Sequence, residues 1–102
     1  MNITVLHIAD CPNWTTAIEH SEQAARAFGE DVSVSNQLIS TTEEAEHWAF
    51  AGSPTLLLDG VDMFPGEGST GDLACRIYFT PSGLRGAPTT NQIHGRLAAH
   101  DH

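Results

Sequence analysis

The chain has 102 residues, enough for one domain with one modest core. Thirteen Asp and Glu residues face four arginines and no lysine, so the formal net charge is −9 with neutral histidines. This negative field repels nucleic-acid phosphates and anionic membrane surfaces, so we expect neither as a partner. We predict a single domain that spans residues 1–102.

The beginning of the chain has no feature of a secretion signal. The first nine residues contain a short apolar stretch without a basic segment or a small-residue cleavage site. No stretch approaches the roughly 18 apolar residues of a membrane span. We therefore expect a cytoplasmic protein, in which a disulfide is more often transient than structural.

The first third of the chain has the pattern of a strand, a helix and a second strand. Apolar and β-branched residues crowd residues 3–9, as in a buried strand. Apolar residues then recur at helical spacing over residues 14–28, and Gly29 is a suitable stop. Valine and serine alternate in a half-exposed strand over about residues 31–38.

A second helix is predicted by a capping pattern. Either Ser40 with Glu43 or Thr41 with Glu44 has the spacing of a capping box. An apolar face follows, and Gly52 ends the pattern. We expect a helix of about ten residues between these signals.

The chain then predicts a hairpin. Residues 55–58 form an apolar run, and residues 61–64 form a second one after Asp59 and Gly60. This residue pair favours the left-handed backbone conformation of a tight hairpin turn. An antiparallel pair of strands should complete the sheet.

The last third holds a long connection and a final helix. Residues 65–88 are rich in Gly, Pro, Ser and Thr, and a short helix that contains Leu73 and Ile77 is expected inside them. A connection of this length suggests a function. The final helix should begin near Thr89 or Thr90.

Two motifs stand at the ends of the predicted strands. Cys11-Pro12-Asn13-Trp14 follows the first strand, and Gly52-Ser53-Pro54-Thr55 precedes the third. Together with the order β-α-β-α-β-β-α, they resemble the thioredoxin-like fold. The resemblance implies an α/β fold with a mixed four-stranded sheet flanked by helices. It also implies a cis bond between Ser53 and Pro54 that faces an active cysteine, Cys11.

The chain departs from the dithiol members of that family at one position. Trp14 stands where their Cys-x-x-Cys motif has its second cysteine, so dithiol chemistry within the motif is excluded. The whole chain more closely resembles a group of small thioredoxin-like (glutaredoxin-like) proteins with a single-cysteine Cys-Pro-Asn-Trp motif and a tail like residues 75–86. Some of these are labelled alkylmercury lyase, but the motifs of organomercurial lyases have no residue-by-residue match here. The resemblance assigns substrate contacts to five residues: Pro12, Trp14, Ser53, Pro54 and Thr55.

Cys11 also has a physical argument of its own. A thiolate at the start of a helix is stabilised by unpaired backbone N–H groups and by the positive end of the helix dipole. The carboxylate of Asp10 opposes a second negative charge beside it. We expect a reactive thiol rather than an inert buried cysteine.

Cys75 allows three interpretations. It is a resolving thiol for Cys11, the second ligand of a soft metal ion, or a small buried hydrophobe. On a helix whose core face carries Leu73 and Ile77, it would point away from that face. It also precedes Arg76, a charge that favours a thiolate. We therefore predict that Cys75 faces the Cys11 side of the sheet.

Other cofactor and metal sites have no support. The six histidines have no metal-ligand spacing, and the best reading of His7 is a satisfied histidine of the first strand. Gly66, Gly68 and Gly71 lack the Lys-Ser/Thr pair of a phosphate-binding loop. We expect no metal and no cofactor.

The leading prediction is a cytoplasmic thiol-disulfide oxidoreductase or redox-responsive protein that acts through a monothiol, Cys11. Its substrate would be a thiol or disulfide, on a protein or a small molecule. The alternative is a non-catalytic thioredoxin-like module that holds a soft metal ion or a protein partner. A third reading is a structural interaction domain with an exposed strand edge, because one fold serves many functions.

Overall fold

The computed structural model describes residues 1–29 and 31–100. Glu30, Asp101 and His102 belong to the predicted domain but lie outside the described residues. The described chain forms nine elements, in this order: β1 (Asn2–His7), α1 (Asn13–Phe28), β2 (Ser33–Leu38), α2 (Thr42–Trp48), β3 (Thr55–Leu58), β4 (Val61–Asp62), β5 (Tyr78–Thr80), β6 (Gly83–Arg85) and α3 (Thr90–His100).

Four of the strands form one mixed sheet in the order β2-β1-β3-β4. Strand β1 runs parallel to β2 and antiparallel to β3, and β3 pairs with β4 as a hairpin. The predicted mixed α/β architecture with a four-stranded sheet and helices is therefore confirmed. The two strands β5 and β6 form a separate antiparallel pair, which the sequence patterns did not predict.

The sheet has an apolar core on each face. Alternate residues of the strands point to opposite sides, so Val5 and Leu56 pack with α1 and α3, whereas Leu6 and Leu57 pack against α2. The first core is the larger, because two helices cover that face. The chain therefore folds in three layers, with α1 and α3 on one side of the sheet and α2 on the other.

Side-chain caps explain where two helices begin. The amide of Glu44 donates to Oγ1 of Thr41 at 3.1 Å, so the second of the two predicted capping patterns is the one used. Thr89 and Gln92 form a reciprocal capping box, with N···O distances of 2.9 and 3.1 Å. Helix α2 is shorter than predicted because Ala49 adopts a left-handed conformation with φ of 57° and ends it.

The predicted hairpin is present, but its second strand is short. Asp59 and Gly60 have φ angles of 50° and 87°, as a tight hairpin turn requires. Strand β4 ends at Asp62, whose carboxylate accepts a hydrogen bond from the amide of Phe64 at 2.8 Å. This contact turns the chain out of the sheet, and Phe64 enters the larger core instead.

The short helix predicted around Leu73 and Ile77 is wrong. Residues 73–77 contain no helix, and Leu73 and Ile77 are 37% and 46% exposed instead of facing the core together. Cys75 forms a parallel bridge with Ser53, so this part of the chain runs alongside the residues before β3. The patterns of local spacing could not reveal a pairing between segments so far apart in sequence.

Arg76 anchors this segment. Its side chain is fully buried, and its guanidinium pairs with the carboxylate of Asp62 at 2.9 Å. It also donates to the carbonyl of Glu67 at 2.7 Å and to that of Phe64, and lies 4.8 Å from the centre of the Tyr78 ring. Buried charges are stable only when paired and hydrogen-bonded in this way.

Among the described residues, no helix has the length and apolar character needed to cross a membrane.

Candidate thiol site

Cys11 lies in the turn between β1 and α1, at the edge of the sheet where the parallel strands β1 and β2 end. Only 1% of its surface is exposed. Its amide reaches the carbonyl of Ile8 at 3.4 Å, and its thiol donates to the carbonyl of Ser53 at 3.4 Å. The N-cap of α1 is Pro12, which has no side-chain acceptor for the first N–H groups of the helix. The predicted position of Cys11 at a helix start is confirmed, but its burial restricts access from solvent.

Ser53 connects the elements around this thiol. Its amide donates to the carbonyl of Ala74 at 2.8 Å, and its carbonyl accepts from the amide of Arg76 at 2.8 Å. Its hydroxyl accepts from the amide of Ile8 at 3.1 Å. The bond from Ser53 to Pro54 is cis, as the resemblance implied. One buried serine therefore fixes the end of β1 and the segment of Cys75 around Cys11.

Cys75 lies beside Cys11. A hydrogen bond between the two thiols is the largest cause that raises the pKa of Cys75, and burial and the charge of Cys11 act in the same direction. Both cysteines are free, but Cys11 is buried and Cys75 is exposed. The two cysteines are brought near each other by Ser53, which bridges to Cys75 and accepts from the thiol of Cys11, and not by the predicted helix.

The expected effect of Arg76 on Cys75 is wrong. The guanidinium is buried on the other side of the chain, where Asp62 balances its charge. In an extended segment, successive side chains point to opposite sides, so Cys75 is exposed where Arg76 is buried. Arg76 therefore orders the segment that carries Cys75 without supplying a free positive charge to its thiol.

Some of the other predicted site residues are buried and support the site, whereas others are accessible to solvent. Pro54 and Thr55 are buried; Oγ1 of Thr55 donates to the carbonyl of Gly52 at 2.5 Å, and the hydroxyl of Tyr78 donates to the carbonyl of Pro54. With Ser53, they hold the site together and have little surface to offer a substrate. Pro12 is exposed next to Cys11, and Trp14 is half-buried.

The contact between His7 and Trp14 is a feature of this region that the sequence patterns did not predict. The ring of His7 stacks on the indole of Trp14, with centroids 4.0 Å apart and planes 9° from parallel. Its Nε2 lies 3.1 Å from Oδ1 of Asn36, but within the described chain its buried Nδ1 has no hydrogen-bond partner. The expectation of a fully satisfied histidine is thus met at only one of the two ring nitrogens.

Two clefts lie near the connection between β1 and α1. One of about 250 Å³ lies where β1 and β2 end, on the side of the chain that carries Leu73; its lining residues are Ile8, Ala9, Asp10, Ile39, Ser40 and Leu73. The other, of about 310 Å³, lies between α1 and the β5–β6 pair. Neither was predicted, because each is lined by segments that are distant in sequence. Neither cysteine is part of the lining of the first cleft, but Asp10 immediately precedes Cys11 and Leu73 is two residues before Cys75.

The donor groups available here limit what the site can hold. Within residues 1–29 and 31–100, no group of three or more His, Cys, Asp or Glu side chains is arranged to bind a metal ion. The two thiols and the carbonyl of Ser53 are the polar groups that meet at Cys11. Comparisons of the chain with protein-family models, curated proteins and solved structures give no significant match.

Proposed function

We propose that the protein is a thiol-disulfide oxidoreductase or redox-responsive protein with a thioredoxin-like fold. The strand order β2-β1-β3-β4 and the position of Cys11 between β1 and α1 support the fold assignment. The observation that carries the functional proposal is that Ser53 brings together two free cysteines, one buried and one exposed: its carbonyl accepts from the thiol of Cys11, and it forms a bridge with Cys75. Cys11, which the sequence presents as a monothiol, thus has a partner.

The difference in exposure suggests an order of events. The thiolate of Cys75 attacks one sulfur of an external disulfide, forms a mixed disulfide and releases the first half of the substrate as a thiolate. The thiolate of Cys11 then attacks Sγ of Cys75, forms the Cys11–Cys75 disulfide and releases the second half. Two electrons pass from the cysteine pair to the substrate, and a small-molecule thiol can reverse the sequence. The reverse order, with the first mixed disulfide on Cys11, requires the buried thiol to become accessible.

Mass spectrometry of the reduced protein after mixing with a neutral small disulfide tests this function. We expect the wild-type protein to lose two hydrogen atoms and to yield a Cys11–Cys75 peptide on non-reducing digestion. We expect Cys11→Ser to accumulate a mixed disulfide on Cys75, because the resolving thiol is absent. Absence of the internal disulfide, together with failure of both single serine variants to form an adduct, would contradict the proposal.

A second candidate function is the binding of a soft metal ion as cargo. Two adjacent thiolates suit an ion that accepts two sulfur ligands, such as Hg²⁺ or Cu⁺. Titration of the reduced protein with Hg²⁺ against a competing thiol would show one ion per chain and a similar loss of affinity in Cys11→Ser and Cys75→Ser. Equal binding by the wild-type protein and either variant would eliminate this candidate.

A further inference from the structure

The cleft beside the thiols has an apolar wall and a negative rim. Ile8, Ala9, Ile39 and Leu73 supply hydrocarbon surface, and Asp10 is the charged residue of the lining. Asp10 is exposed and immediately precedes Cys11. The volume of the cleft, about 250 Å³, fits a short chain of a few carbon atoms. The cleft therefore has room for a small group, and its charged lining residue is one position from Cys11.

A second carboxylate lies near this cleft, although it is not part of the lining. The amide of Ser40, a lining residue, donates to Oε1 of Glu44 at 3.0 Å. Asp10 approaches from the end of β1, and Glu44 approaches from the first turn of α2. Asp10 in the lining and Glu44 behind Ser40 therefore both contribute negative charge to this region.

No arginine offsets these charges at the cleft. Arg76 follows Cys75 in sequence but is buried and paired with Asp62. Arg85 lines the other cleft, Arg96 lies 4.9 Å from the centre of the Phe64 ring, and Arg26 is in the last turn of α1. With a net charge of −9 and no lysine, the chain has no other basic side chain except histidine. The side-chain charge at the cleft is therefore negative, with Asp10 as its charged lining residue.

Building on the proposed thiol-disulfide activity, we infer that the substrate is a disulfide or thiol with an ammonium or guanidinium group a few bonds from its sulfur. Asp10 is the residue that selects it. The sulfur meets the thiol pair, the connecting carbons cover Ile8 and Ile39, and the positive group pairs with the carboxylate of Asp10. An anionic disulfide meets like charge at the same place.

The expected selectivity follows from Coulomb's law. Two unit charges about 6 Å apart change a rate by about threefold at the dielectric constant of water and by up to about a hundredfold at the lower effective value near a protein surface, and salt weakens the effect. A cationic and an anionic substrate differ by two charges. Their rates should therefore differ by at least about tenfold beyond the intrinsic preference of any thiolate for a cationic disulfide.

The test compares three disulfides that have the same two-carbon spacer: cystamine, 2-hydroxyethyl disulfide and 3,3′-dithiodipropionate. Rates of internal disulfide formation at low salt are divided by the rates of a small neutral thiol with the same compounds. We expect cystamine to react fastest and dithiodipropionate slowest. Asp10→Asn should lower the cystamine-to-dithiodipropionate ratio by about threefold or more, and the use of a ratio cancels any change in thiol reactivity.

Asp31→Asn is the matched control. Asp31 is exposed and precedes β2, at the end of the sheet opposite the cleft, and its replacement changes the net charge equally. We expect it to leave the ratio unchanged, and we expect added salt to reduce the wild-type ratio. Equal normalised rates for the three disulfides, or equal effects of the two variants, would overturn the substrate inference and leave the proposed function intact. If none of the disulfides reacts, the proposed function itself fails.

Discussion

Replacement of Arg76 by methionine should both destabilise the protein and separate its two thiols. The guanidinium is fully buried and has four partners: the carboxylate of Asp62, the carbonyls of Glu67 and Phe64, and the ring of Tyr78. Methionine has a similar length but donates no hydrogen bond. The variant leaves two carbonyls without their donor and leaves the carboxylate of Asp62 with the amide of Phe64 but no positive partner.

The magnitude follows from these lost partners. The side chain of Asp62 is 19% exposed, so its charge is mostly removed from water when Arg76 is absent. Loss of one member of a buried ion pair typically costs about 3–5 kcal/mol, a range that includes orphaned hydrogen-bond partners. For a domain of this size, each kcal/mol lowers the melting temperature by about 4–8 °C. We expect a large fraction of the total stability to be lost, since small domains have only about 5–15 kcal/mol.

Urea unfolding followed by the fluorescence of Trp14 and Trp48 measures this loss. Arg85→Met is the control, because Arg85 is exposed and its guanidinium donates to the carbonyl of the adjacent Leu84. We expect Arg85→Met to change the free energy of unfolding by less than about 0.5 kcal/mol. Internal disulfide formation should also slow in Arg76→Met, because its segment carries Cys75. A free energy of unfolding within about 1 kcal/mol of the wild-type value would refute the anchoring role.

Two further predictions concern Cys75 and the glycines. Because contact with Cys11 raises the pKa of Cys75 above its ordinary value of 9.0, less of its reactive thiolate is present at pH 8. Its alkylation rate should still rise above pH 9, and Cys11→Ala should move the midpoint to lower pH; an unchanged midpoint would contradict the contact. Gly68→Ala should destabilise strongly, since φ is 59° and the added Cβ would lie 1.9 Å from the carbonyl oxygen of Ile77. Gly95→Ala, in open space on α3, should instead stabilise by about 0.5–1 kcal/mol in the same unfolding assay, and the opposite sign for either variant would refute this reasoning.

Local signals in the sequence predicted much of the fold. The capping residues Thr41 and Thr89, the Asp59-Gly60 turn and the apolar periodicity act between near neighbours, and each gave the right element. The segment after Phe64 lacks such signals. Its course depends on Arg76, whose guanidinium hydrogen-bonds to residues 9 to 14 positions away, and no spacing rule encodes contacts of that range.

The sequence predicted only part of the candidate site, because the rest of the site also depends on contacts between distant segments. Cys11 follows from local chemistry at a helix start, whereas its burial depends on Ser53 and on the segment of Cys75 that packs over it. The juxtaposition of the thiols was expected from a helix that does not exist. The correct conclusion therefore had a wrong premise, and the parallel bridge between Ser53 and Cys75 supplies the right one.

The place of Trp14 explains why a second thiol has to come from elsewhere in the chain. At the fourth position of the motif, the indole stacks on His7 and so belongs to the packing between β1 and α1. A resolving cysteine at that position would remove this contact. Cys75 is held near Cys11 by the backbone hydrogen bonds of its two neighbours, Ala74 and Arg76, to Ser53. Under the proposed function, the segment that Arg76 anchors thus supplies the thiol that the motif lacks, and the ordering of that segment controls whether the two sulfurs can react.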